Sequence, residues 1–241
     1  MPTVSIIIPA YNEEAFIATL LERIIAVPTH SIGFKMEIIV VDDGSTDATS
    51  AKVNNFPSIR LIRQANQGKG AAVQRGVREA TGDYILIQDA DLEYNPSDYM
   101  QMLSVLNNHS NAVVYGSRTK GVIRDHGWCW PFPGKKPGQS IGPWIMNIVL
   151  SVVTLSLYRI WVTDMLTGYK IYPHGFLSSI QVKTTGFETD HELSSKLLKK
   201  NYNLFEVPVS YLPRTKEEGK KIKPSDGIKA IWCLIKFRFS N

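Results

Sequence analysis

Cysteine is the residue this chain of 241 uses least: only Cys129 and Cys233 are present. Two distant thiols in no ligand-like spacing exclude a disulfide framework and a zinc site, and they suit a reducing cytoplasm. The opening Met1-Pro2-Thr3 runs straight into a strand-like segment, with no basic stretch followed by an apolar one. No secretory signal is therefore expected. Long apolar runs are also scarce. The nearest to a membrane span, Trp144 to Val162, is interrupted by Asn147, several Ser and Thr residues and Arg159. Two common nucleotide signatures are missing as well. Neither Gly-x-Gly-x-x-Gly after the first strand nor Gly-x-x-x-x-Gly-Lys-Ser/Thr occurs, which argues against a dehydrogenase and a P-loop enzyme. Gly68-Lys69-Gly70 has two of the glycines, but it follows the third strand and continues Ala-Ala-Val.

What is present is an ordinary globular composition, long enough to bury one large core or two small ones. The net charge of +5 is uneven. Between Arg214 and Arg238 stand Lys216, Lys220, Lys221, Lys223, Lys229 and Lys236 against Glu217, Glu218 and Asp226. Such a tail attracts phosphorylated ligands or anionic headgroups, or else merely solubilises the surface.

The first half alternates buried strands with amphipathic helices. Strands are expected at Val4–Pro9, Glu37–Asp42, Ile59–Arg63, Tyr84–Asp89 and Ala112–Gly116. Helices are expected at Glu13–Ala26, where Phe16, Ile17, Leu20, Leu21 and Ile24 share a face, at about Gly70–Ala80, and at Pro96–Leu106. Ser45-Thr46-Asp47 offers a cap for a further helix. This pattern implies an open, mostly parallel α/β sheet, whose ligands bind beyond the carboxyl ends of its strands. Three polar clusters collect there: Pro9-Ala-Tyr-Asn-Glu13, Asp42-Asp-Gly-Ser-Thr-Asp47 and Asp89-Ala-Asp91. The last places two carboxylates just past a buried strand. Two such groups bind a hard divalent cation and leave coordination positions for diphosphate oxygens. Magnesium or manganese held there would neutralise charge on a leaving nucleoside diphosphate.

In order and spacing, these clusters together with Asn66-Gln-Gly-Lys-Gly70 resemble the motifs of family 2 glycosyltransferases with the GT-A fold. Further segments extend the likeness to the branch of dolichyl- and polyprenyl-phosphate mannose or glucose synthases. They are Gly116-Ser-Arg118, Thr163-Asp-Met-Leu-Thr-Gly-Tyr-Lys170, Phe187-Glu-Thr-Asp190, Glu206-Val-Pro-Val-Ser-Tyr211, Arg214, Glu218-Gly-Lys-Lys-Ile222 and Asp226-Gly227. The resemblance implies that Pro9, Tyr11 and Glu13 frame the base and ribose, that Asp42 contacts the nucleoside, and that Lys69 lies near the donor. It also implies that Asp89 and Asp91 hold the metal and diphosphate. Many relatives carry Gln two residues after the second Asp, where this chain has Glu93, a candidate third metal ligand.

The acceptor decides the rest of the chemistry. A hydroxyl acceptor needs a general base, whereas a lipid phosphate is already an anion and needs cations to hold it. Arg118 and Arg214, helped by Lys170, suit that second task through bidentate phosphate contacts. Glu188 or Asp190 would be the base for a hydroxyl, although Asp190 is also placed to cap a helix from Glu192 to Lys200. Asp164 reads either as an acceptor-site carboxylate or as a structural turn residue. Gly121–Pro143, rich in Gly, Pro and Trp and without periodicity, reads as a long mobile loop over the site. Ile145–Leu157 and Ile228–Phe239 mix large apolar side chains with flanking Trp or cations, as in helices that lie in a headgroup layer; packing on the sheet is the alternative.

The expectation is one GT-A-like α/β domain. Residues 1–118 form the nucleotide-sugar half and 119–215 the acceptor half, and 216–241 make a basic amphipathic helical extension. The expected reaction is inverting, metal-dependent hexose transfer from GDP-mannose or UDP-glucose to a polyprenyl phosphate, peripheral at a membrane and without nucleic acid. A saccharide or other hydroxyl acceptor is the alternative. A nucleotidyltransferase is disfavoured because no Gly-rich, cation-bearing loop follows the first strand. A non-catalytic nucleotide-sugar binder is disfavoured because Asp89 and Asp91 are both intact.

Overall fold

Val4 to Ile8 is apolar at nearly every position because its strand is covered on both faces. It forms β1 (Thr3–Ala10), whose side chains alternate between two cores. Val4, Ile6 and Ile8 pack with Ile38 and Val40 of β2 (Lys35–Asp42) on one side, and Ile7 packs with Ile39 and Val41 on the other. The computed structural model describes residues 1–128, 132–136, 141–186, 188–200, 202–213 and 224–240. Within them, β3 (Arg60–Arg63), β4 (Tyr84–Ile87), β5 (Val113–Ser117), β6 (Lys170–Pro173) and β7 (Leu204–Pro208) complete a sheet of order β3-β2-β1-β4-β6-β5-β7. β6 runs antiparallel to both neighbours, and every other pairing is parallel. The expected mostly parallel sheet is observed, with two strands beyond the five legible from periodicity.

Helices cover both faces. Helix α1 (Ile17–Ile25) buries Ile17, Leu20, Leu21 and Ile24 against the first core, joined by α4 (Tyr99–Asn108). Short α2 (Thr49–Val53) follows β2. The second core gathers α3 (Lys69–Glu79), α6 (Ile141–Tyr158), α7 (His174–Ser178), α8 (Thr189–Lys199) and α9 (Pro224–Phe239). Each fully buried Ile or Leu in these clusters is worth about 1.5–3 kcal/mol, so the sheet is a rigid platform for the loops at its edge.

Several local expectations are revised. Helix α1 starts at Ile17, because residues 14–16 form a turn tied to the loop after β2. The cap of α2 is Ala48; Asp47 instead accepts the Thr49 amide at 2.9 Å from just outside the helix. The Gly121–Pro143 segment is not one irregular loop. Its first residues belong to α5 (Arg118–His126), capped by Ser117 Oγ on the Lys120 amide, and Ile141 to Pro143 open α6. Gly121 looked like a loop glycine, yet it is there because a Cβ would lie 2.1 Å from the Val209 carbonyl.

Helix α6 is also longer and more uniformly apolar than its interruptions suggested. It is one helix among the described residues that is long and apolar enough to cross a membrane. Its 18 residues rise about 27 Å, close to a bilayer's apolar thickness. Ile145, Ile148, Val149, Val152 and Leu155 are exposed along it. Of the two alternatives for these apolar segments, packing on the sheet holds for part of each helix. Leu150 and Tyr158 of α6, and Ala230, Leu234 and Phe237 of α9, are core, while Ile228, Trp232, Ile235 and Phe239 of α9 are exposed.

Candidate active site

The loops at the carboxyl ends of β1, β2, β3 and β4 are laced together by side chains that the strand ends deliver. Asn12, held at φ 53°, accepts the Thr46 amide at 2.9 Å, and its own amide donates to Ser45 Oγ at 3.0 Å. Glu14 accepts the Ala48 amide at 2.9 Å, and Thr49 Oγ1 accepts the Glu13 amide at 2.9 Å. Asp42 is fully buried at the end of β2. Its oxygens accept from the Ser45 amide at 2.8 Å and from Ser50 Oγ, with Arg63 Nε at 3.8 Å. The carboxylate expected to meet a nucleoside thus shapes the turn around it. Pro9 pairs with Val41, one position before the end of the same parallel pair, Tyr11 is exposed beyond it, and Glu13 is buried.

Asp43, given no role from sequence, organises the next loop. It accepts from Gln64 Nε2 at 2.8 Å, the Gln67 amide at 2.9 Å and the Gly68 amide at 2.7 Å. Gly68 then takes φ +97°, which an L side chain rarely adopts, and α3 starts at Lys69. The first-turn amides of Gly70 and Ala71 are satisfied by the Thr185 carbonyl at 2.7 and 3.3 Å. This geometry aims Lys69 Nζ at Asp89 Oδ1, 2.5 Å away, with Asp190 Oδ2 at 3.9 Å. Burial opposes the Lys69 charge, but the carboxylates of Asp89 and Asp190 outweigh it and hold the ammonium above its ordinary pKa.

The acidic turn forms because β4 stops at Ile87. Gln88, buried beneath it, accepts from Tyr99 and Tyr169 hydroxyls at 2.6 Å each and donates to the Asp89 carbonyl at 2.8 Å. Asp91 is 6% exposed and accepts the Glu93 amide at 3.1 Å. Among the described residues no three His, Cys, Asp or Glu side chains gather as a metal-binding group. Glu93, the expected third ligand, accepts a hydrogen bond from the Tyr211 hydroxyl at 2.8 Å. The Asp89–Asp91 pair still fits a divalent cation: the oxygens are hard donors, and a cationic group already sits on Asp89.

Further along the same edge of the sheet, β5 delivers Arg118 and the β6 approach delivers Asp164. Arg118 donates to Asp164 from its amide at 2.9 Å, from Nε at 2.7 Å and from Nη2 at 2.7 Å. Asp164 is 1% exposed and the Arg118 side chain 24%, so the two expected site residues are brought together as a largely buried pair. Burial disfavours the Arg118 charge, and Asp164 more than restores it. Glu206 of β7 holds this loop by accepting from the Thr163 amide at 2.8 Å and the Asp164 amide at 3.2 Å; burial pushes its carboxyl up. Lys170 does not reach the surface. It is fully buried on β6, 3.3 Å from Ser194 Oγ and 4.9 Å from the Tyr115 ring, and burial lowers its pKa. Its expected help with an acceptor phosphate is therefore corrected. Asp190 is not a cap either, since α8 starts at Thr189 and the Asp190 carboxylate faces Lys69. Glu188 takes the N-cap position without a side-chain cap bond. Arg214 lies outside the described residues, as do residues 215–223 and Phe187.

The sequence profile of glycosyl transferase family 2 matches residues 5–146, which include the loops after β1, β2, β3 and β4. The chain belongs to glycosyl transferase family 2. Among family 2 relatives, a dolichol-phosphate mannosyltransferase of Pyrococcus furiosus is 29% identical over 222 residues, covering 90% of this chain and 58% of that protein. A hexosyltransferase of low-salt glycan biosynthesis from Haloferax volcanii is 27% identical over 245 residues, 100% of this chain and 54% of its own length. The chain thus spans little more than half of these two proteins. The dolichol-phosphate mannosyltransferase of Saccharomyces cerevisiae is 27% identical over 229 residues, 90% of this chain and 80% of the yeast protein. Among solved structures, glucosyl-3-phosphoglycerate synthase of Mycobacterium tuberculosis with Mn2+, uridine diphosphate and phosphoglyceric acid superposes with a TM-score of 0.69 at 18% identity. That match covers 99% of this chain and 79% of the synthase. This likeness is one of fold, and the fold is GT-A.

Proposed function

We propose that this family 2 chain transfers a hexose from a nucleotide-diphosphate sugar, GDP-mannose or UDP-glucose, to a polyprenyl or dolichyl phosphate. Residues 1–118 hold the donor and 119–215 the acceptor. The observation that carries the reading is the acidic turn Asp89–Asp91, with Asp91 buried and Lys69 seated on half-buried Asp89, at the carboxyl ends of the parallel strands. Relatives named for dolichol-phosphate transfer support the acceptor class, and a manganese and uridine diphosphate complex of similar fold supports a metal-held diphosphate.

Asp89 and Asp91 would hold magnesium or manganese, which supplies charge neutralisation for the departing diphosphate. Lys69 moves from Asp89 toward the diphosphate oxygens as the donor binds and stays within reach of Asp190. Arg118 is fixed in orientation by Asp164 through Nε and Nη2, and Nη1 lies outside that fork for an acceptor phosphate oxygen. That oxygen attacks the anomeric carbon in line. The new carbon–oxygen bond forms as the bond to the diphosphate breaks, and configuration inverts. The exposed apolar side chains of α6 and α9, with Lys229, Lys236 and Arg238, support a position for this chemistry at a membrane surface. A second reading, transfer to a hydroxyl with Asp190 as base, draws on the position of that carboxylate in the crevice.

The test offers each donor with manganese or magnesium, with and without a short polyprenyl phosphate. Release of nucleoside diphosphate that depends on the lipid phosphate is expected. Transfer to sugar hydroxyls alone would overturn the reading in favour of Asp190.

A further inference from the structure

The acidic turn and Arg118 are joined through one tyrosine. The Tyr211 hydroxyl donates to Glu93 Oε2 at 2.8 Å, and the Arg118 guanidinium carbon lies over the Tyr211 ring, 4.9 Å from its centroid. The Tyr94 ring packs against the same tyrosine at 5.1 Å and stacks on Tyr169 at 4.3 Å. The backbone repeats the connection. Tyr94 and Tyr211 form an isolated antiparallel bridge, and the Leu212 amide donates to the Glu93 carbonyl at 2.8 Å. Tyr211 is thereby fixed at its hydroxyl, against its ring and along its main chain, and Arg118 rests on the result.

We infer that Glu93 is a positioning residue for Arg118, acting through Tyr211, and is not a ligand of the divalent cation. Charge supports this assignment as well as geometry. Asp89 and Asp91 already balance a divalent cation, and a third carboxylate on it would repel the diphosphate that the cation must receive. Directed at a phenol, the same carboxylate polarises the O–H bond and enriches the ring beneath the guanidinium. The Glu93–Tyr211 pair therefore links the donor turn to the acceptor cation. Its acceptor consequence rests on the reading that Arg118 holds the acceptor phosphate.

The test uses the whole chain with Glu93→Ala, Glu93→Gln, Tyr211→Phe and the Glu93→Ala/Tyr211→Phe pair. Manganese affinity is read by electron paramagnetic resonance with uridine or guanosine diphosphate present, and KM for a short polyprenyl phosphate is read separately from kcat and donor KM. Glu93→Ala and Tyr211→Phe are each expected to raise the acceptor KM about three- to tenfold, as for a cation–ring contact whose ring has lost the hydrogen bond that fixes and enriches it. Manganese affinity stays within about twofold, Glu93→Gln recovers most of the loss because its amide oxygen still accepts from the phenol, and the double variant is no worse than either single one. A tenfold loss of manganese affinity in Glu93→Ala would overturn the assignment, and so would additive effects of the two substitutions. If the unaltered chain shows no turnover dependent on lipid phosphate, the proposed function fails. The manganese titration and a melting-temperature cycle on the same four variants then decide the Glu93 assignment by themselves: unchanged affinity with non-additive melting shifts upholds it, and weakened affinity or additive shifts reject it.

Discussion

Replacing Asp164 by Asn removes one charge and almost no volume, at a place where the structure gives that charge a single dominant partner. Asp164 is 1% exposed and accepts three hydrogen bonds from Arg118, at 2.9, 2.7 and 2.7 Å. An Asn there keeps one oxygen and turns an amide NH2 toward the guanidinium fork, so at least one of those bonds is lost and the cation loses its counter-charge. Breaking a buried pair from one side costs about 3–5 kcal/mol. The Arg118 side chain is 24% exposed and can turn partly to water, which places this case near the lower end, at about 3 kcal/mol. For a domain of this size each kcal/mol moves the melting temperature by roughly 2–4 °C, giving a fall of about 6–12 °C. Thermal unfolding followed by circular dichroism measures it, with Arg118→Lys as the companion that keeps charge and loses the fork. A fall under about 2 °C in Asp164→Asn would refute the reasoning, because the pair would then contribute nothing to the fold. Unchanged stability with abolished turnover would make Asp164 a chemical participant instead.

Lys69→Met is expected to raise manganese affinity roughly tenfold in the absence of nucleotide, since the ammonium at 2.5 Å competes for Asp89, and to weaken nucleoside diphosphate binding; calorimetry reads both. His191 is buried, and its pKa is lowered to about 4 by burial and by the neighbouring Lys170 charge. Between pH 6.5 and about 4 the unfolded chain binds a proton that the folded chain refuses, so stability falls with pH at up to about 1.4 kcal/mol per unit. Urea unfolding across that window should show the slope, and His191→Asn should flatten it. Gly70→Ala would place a Cβ 2.0 Å from Thr189 Oγ1 and 2.7 Å from the Thr185 carbonyl carbon. A loss of about 1–3 kcal/mol and displaced Lys69 are expected, visible as lower melting temperature and weaker nucleotide binding.

The parallel sheet was legible because Val4–Ile8, Glu37–Val41 and Tyr84–Ile87 are short β-branched runs between helical periods, and that pattern admits few other folds. The crevice was legible because the acidic clusters follow those runs directly. What escaped was pairing at long sequence separation. Lys170 and Arg118 read alike as cations for a phosphate, yet β6 runs into the core and buries Lys170 completely, while β5 ends at the crevice and leaves Arg118 partly open. Nothing local marks Glu93 as the partner of Tyr211, 118 residues away. Asp43 and Gln88 were within reach of a stricter reading. A second Asp after a strand and a Gln before an acidic turn are polar groups at buried strand ends, and such groups must find partners. Gly121 misled because its role, a close approach to Val209, leaves the same mark in sequence as a loop.

The claim on which the account turns is that the Asp89–Asp91 turn, with Lys69, forms the donor's diphosphate site. Its most direct measurement is calorimetric binding of uridine and guanosine diphosphate, with and without manganese, to the unaltered chain and to Asp89→Asn and Asp91→Asn. The account predicts manganese-dependent binding of one nucleotide, weakened at least about tenfold by either substitution. Binding that ignores manganese, or that survives both substitutions, would contradict it.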